Sequence, residues 1–128
     1  MTSEGGRRRR RWIVATGIVA AAVALFAVSD RADPLDYYRP VGDRIIVVGT
    51  ITGAATWTRV SSVTETPSEV VVAVRSFRVP FVPASGVGIP IEFVITLGAP
   101  LGERTVIDAS DGHAVPKTRC LSYRPLCP

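Results

Sequence analysis

Five consecutive arginines, Arg7, Arg8, Arg9, Arg10 and Arg11, run directly into 18 uncharged residues, 12–29 (WIVATGIVAAAVALFAVS). A helix of that length rises about 1.5 Å per residue and reaches roughly 27 Å, near the lower limit for a bilayer core. A cationic flank stays on the cytoplasmic side, so residues 1–11 are expected inside and everything from Asp30 onward outside. Two readings of the segment compete. An uncleaved anchor keeps the protein on the cell membrane as a single-pass protein. A signal peptide releases it, and Ala27-Val28-Ser29 puts small residues where a peptidase cuts. The apolar run is longer than that of a typical cleaved signal, which favours the anchor. No cysteine lies directly after the segment, which speaks against lipoprotein processing. Arg9-Arg10-Arg11-Trp12-Ile13 loosely fits a twin-arginine signal, but a plain arginine run explains it better.

The net charge of +4 belongs to this N-terminal block. Residues 30–128 carry ten basic and ten acidic groups and are neutral. A nucleic-acid partner is therefore not expected, because its footprint would be a basic surface on the folded part. Arg outnumbers Lys 14 to 1, and Asn and Gln are absent, a codon bias typical of a GC-rich bacterial genome. Without Asn there is no N-glycosylation acceptor.

Residues 30–40 hold Asp30, Asp33, Pro34, Asp36 and Pro40 and are expected to be a linker, with Tyr37 and Tyr38 near lipid headgroups or packed on the domain. From residue 41 to 119 the pattern is β. Residues 44–52, 57–64, 70–79 and 89–97 are β-branched or alternating runs, with shorter ones at 105–107 and 113–115, separated by Gly and Pro. This spacing predicts an all-β domain, a small antiparallel β-sandwich or partly open barrel, after one N-terminal transmembrane or signal helix. Pro90 places its strand at a sheet edge, and 81–88 is expected to cross between sheets. Trp57, Val74, Phe77, Ile91, Phe93, Ile95 and Leu97 are the core candidates.

The tail 120–128 holds the only two cysteines, Cys120 and Cys127. On the exported side they are expected to pair. The short loop would contribute roughly 2–3 kcal/mol in the chain-entropy model.

Catalytic chemistry is poorly represented. His113 is the only histidine, lies just after Asp111-Gly112, and reads as an exposed turn residue rather than a general base. Glu65, Glu69, Glu92 and Glu103 could converge, although no spacing requires it. Glu92 is expected on a solvent-facing strand position, and would need a partner such as Arg75 or Arg78 if buried. Residues 108–112 (DASDG) break the calcium-loop register and lack the distal Glu. No metal site, no cofactor and no catalytic residue is expected.

Val48-Gly49-Thr50, Trp57-Thr58-Arg59-Val60, residues 63–67, residues 88–92 and residues 100–108 carry a resemblance covering a little over half the chain. On these residues the protein resembles uncharacterised small membrane-anchored or secreted β-rich proteins of actinobacteria. The resemblance implies compartment and β content, and transfers no active site. The sequence thus points to a non-enzymatic, tethered extracytoplasmic β module that contacts the membrane through its helix and another cell-envelope component through its domain. The alternatives are a carboxylate-based envelope hydrolase or transferase, and the same domain secreted after cleavage near Ser29.

Overall fold

The computed structural model describes Ile18, Ala21 and residues 30–83 and 86–118. Ile18 and Ala21 are helical, but the apolar segment as a whole, the arginine block and the cysteine pair lie outside the described residues. Among the described residues no helix is long and apolar enough to cross a membrane.

Seven strands follow from Asp30: β1 (Asp30–Asp33), β2 (Tyr37–Pro40), β3 (Ile45–Gly53), β4 (Thr56–Glu65), β5 (Glu69–Arg78), β6 (Gly88–Thr96) and β7 (Thr105–Asp108). They form two sheets. In the first, β5 is central. It pairs with β4 along one side, and on its other side with β1 at one end and β7 at the other. The β5–β7 pairing is parallel and the other pairings between named strands are antiparallel, a departure from the expected wholly antiparallel fold. In the second sheet, β3 lies between β2 and β6, so Pro90 sits on an edge strand as expected.

The expected linker is instead two strands. Asp30 of β1 pairs with Phe77, and Tyr37 of β2 pairs with Gly49. Residues 34–36 step from one sheet to the other. Thr50 Oγ1 donates to the Pro34 carbonyl (2.8 Å), and the Asp36 carboxylate accepts from Ile51 N (2.8 Å). Acidic residues that suggest a linker by composition thus serve as hydrogen-bond acceptors for neighbouring strands.

One cluster of buried side chains draws on both sheets: Ile46 and Val48 of β3, Ile95 of β6, and Val70, Val72 and Val74 of β5. Burying a side chain of this size stabilises by about 1.5–3 kcal/mol. Leu97 and Leu101 complete the cluster at one end, held by backbone bonds to Arg44 O and Asp43 O, both 2.7 Å. Val74, Ile95 and Leu97 fulfil their expected burial. Ile91, Phe93 and Phe77 are half-buried. Trp57 is not in the core at all and stands 75% exposed. The reason is parity. β4 turns Thr58 and Val60 inward, so Trp57 and Arg59 face out, and a register shift between Val60 and Ser62 then brings Val63 inward opposite Val72. The extra residue of such a bulge flips the alternation of the strand.

Residues 114–118 run along one side of the molecule and touch both sheets. Ala114 bridges Ile107 of β7, and Lys117 bridges Tyr38 of β2. This replaces the expected short strand at 113–115. At the opposite end from Leu101, residues 54–55 and residues 79–87 each carry the chain between sheets, joined by Val79 N to Ala55 O (3.0 Å).

Candidate interaction surfaces

The outer face of the second sheet carries a polar constellation built on a glycine. Gly49 leaves room for the Tyr37 ring to lie across β3; a Cβ there would overlap the ring. The flattened ring brings its hydroxyl to Glu92 Oε1 on β6, and Arg39 Nη2 reaches Glu92 Oε2 at 3.3 Å. Glu92 is thus on the outer face, as expected, but its partners are Arg39 and Tyr37. Arg75 instead pairs with Asp30, its Nε 3.0 Å from the carboxylate without hydrogen-bond alignment. Arg59 joins the same carboxylate, with two contacts of 3.3 Å. Beside Glu92, Val94 is 71% exposed on the edge strand.

Of Glu65, Glu69, Glu92 and Glu103, Glu92 stands apart on this outer face, whereas Glu65 and Glu103 line one cleft. Glu65, at the end of β4, accepts from Gly98 N (2.7 Å), Ala99 N (3.3 Å) and Arg104 Nη1 (2.8 Å). Arg104 also donates to the carbonyls of Ala99 and Pro100. This clamp shapes the 98–104 loop beside a cleft of about 490 Å³ that Glu103 also lines. The Gly98 N–H and then the Arg104 guanidinium hold the Glu65 carboxyl below its ordinary 4.5. A lowered carboxylate stabilises the fold above its unfolded pKa, and that contribution disappears as pH falls through the folded value. Glu65→Gln should therefore melt at lower temperature than the parent at neutral pH. The difference should close on acidification below 4.5. Parallel melts across this range check it, and a gap independent of pH would contradict it.

Asp108 is buried and structural: Oδ2 accepts from Leu35 N (2.7 Å) and Oδ1 from Ser110 N (2.8 Å). The 109–112 turn that follows places Gly112 at φ 76°, where glycine carries no steric penalty. His113 lies exposed beyond it, with Nδ1 3.3 Å from Asp111 Oδ2. Its backbone N–H, first, keeps the Asp111 carboxyl below 3.8. Among the described residues no group of three or more His, Cys, Asp or Glu side chains is placed to hold a metal.

The end from which the chain enters β1 has a different character. Asp30, Phe77 and Trp57 form one row across the first sheet. Beyond that row Val79, Phe81, Val82 and Val87 are all exposed, Phe81 by 99%. Between the sheets at this end opens a cleft of about 180 Å³ lined in part by Arg31, Asp33, Thr52, Ser76 and Arg78. Sequence reasoning missed this end because Trp57 reads as core and 81–88 as a plain crossing. Three apolar residues, Val79, Phe81 and Val82, interrupted only by proline, were the available signal.

No protein-family model, no curated protein and no solved structure matches this chain.

Proposed function

We propose that the protein is a non-enzymatic, membrane-tethered extracytoplasmic module whose two sheets stack as a small β-sandwich, and that its exposed sheet face binds another cell-envelope component. The observation that carries this reading is the contrast between its acids and its apolar surface. Glu65 and Glu92 are each neutralised by an arginine, whereas Val94, Trp57 and Phe81 stand open to solvent. Val94 lies on the outer face of the second sheet, and Trp57 and Phe81 lie at one end of the first, so the domain offers a partner apolar side chains at two separate places. The edge strand β6, with the Tyr37–Glu92–Arg39 constellation beside it, offers a framed surface for a partner. The tether is the segment 12–29, with Arg7 to Arg11 inside. The resemblance to anchored or secreted actinobacterial proteins agrees with this compartment.

Two measurements on the full chain test the reading. A reporter active only in the cytoplasm, fused after Pro128, should stay silent; activity would overturn the topology. A photocrosslinking side chain in place of Val94 should yield a discrete adduct with an envelope protein in intact cells. If neither Val94 nor other exposed positions around the domain give an adduct, the binding role fails.

A further inference from the structure

We propose that the end of the domain bearing Trp57 and Phe81 docks into the headgroup region of the same bilayer that holds the segment 12–29. This rests on the tethered reading above. The apolar segment ends at Ser29 and β1 begins at Asp30, so no spacer separates the two. Asp30 is held in place by pairing with Phe77 and by ion pairs to Arg59 and Arg75. A domain fixed so close to a spanning helix must present this end to the lipid.

The chemistry of that end suits the position. Trp57 shares the row of Asp30, and aromatic rings concentrate at the membrane–water interface. Phe81 adopts φ 67°, a region that bulky side chains rarely occupy, and is 99% exposed. A phenylalanine held in that conformation without contributing to the core is accounted for by an apolar partner outside the domain. Val79 and Val82 flank it. Arg31 and Arg78 are exposed at the same end, where lipid phosphates would lie. At the other end of the sheets the 98–104 loop instead folds Leu101 into the core.

The full chain carrying Trp12→Phe, which leaves Trp57 as its only tryptophan, is reconstituted into phosphatidylcholine–phosphatidylglycerol vesicles with acyl chains brominated near the headgroup. Flotation reports the tether and Trp57 fluorescence reports the docking. The expected result is co-flotation, a shift of emission to shorter wavelength, and loss of emission to bromine. Phe81→Ser should weaken the quenching without changing the thermal melt, and undiminished quenching would overturn the role given to Phe81. Co-flotation with water-like, unquenched emission would overturn docking and leave the tether standing. A shortened wavelength without bromine quenching would place protein, such as a second copy of the chain, over Trp57 and also overturn it. Failure to float would overturn the tether, and docking with it.

Discussion

Asp108→Ala should remove a large part of the stability of the domain. Its carboxylate is the acceptor for Leu35 N and Ser110 N, and both bonds form around a residue only 3% exposed. Hydrogen bonds to a charged group contribute about 1.5–3 kcal/mol each, so losing both costs about 3–6 kcal/mol. A domain of this kind has about 5–15 kcal/mol in total. Leu35 lies in the short step between β1 and β2, so its stranded N–H would loosen both sheets at once. Asp108→Asn, which keeps an acceptor oxygen, should cost less than alanine. Urea unfolding of the three proteins checks the order. A loss below about 1 kcal/mol for alanine would mean that the two amides find other partners.

Gly49→Ala should be the second most damaging change, although it adds one methyl group. The Cβ would overlap the Tyr37 ring, which lies across β3 to reach Glu92. Backbone on one side and the β2 pairing on the other leave the ring little room to shift, and overpacking of this sort costs about 1–3 kcal/mol. The double variant Gly49→Ala/Tyr37→Ala separates the causes. With the ring gone, the alanine should add little to the cost of Tyr37→Ala alone, so the two changes should be strongly non-additive. Additive losses in equilibrium unfolding would place the strain elsewhere.

The sequence made the long strands legible because their alternation is local. The runs at 44–52, 57–64, 70–79 and 89–97 differ from β3 to β6 by a residue at each end. β1 and β2 were not legible. Their pattern is short, rich in Asp and Pro, and acquires meaning only from partners such as Phe77 and Gly49 far along the chain. Pro34 and Pro40 still act as punctuation, one between the two strands and the other closing β2. Trp57 was misplaced for another reason. The alternation of β4 has two phases, joined at the register shift after Val60, and a tryptophan looks inward in the absence of the fold. At the candidate surfaces, the outward position of Glu92 was legible from Ile91 and Phe93. Its bonds to Tyr37 and Arg39 were not, because both lie in the stretch read as a linker.

The way β5 is flanked also governs when the domain can assemble. Consecutive strands pair only as β2 with β3 and as β4 with β5, the latter across a tight turn closed by Thr66 and Glu69. The remaining edge of β5 takes β1 at one end and waits for β7 at the other, and β3 finds β6 only after two strands of the other sheet have passed. Such non-local pairing puts folding in the slow range of all-β domains, on the order of milliseconds to seconds. In a chain emerging from its N-terminus, β1 to β4 are already present when β5 appears, but the Glu69–Val72 end of the β5 edge stays open until Thr105 to Asp108 arrive. During that interval the exposed backbone of β5 is open to pairing with other chains, a hazard that grows with the time between the appearance of the first strand and the last.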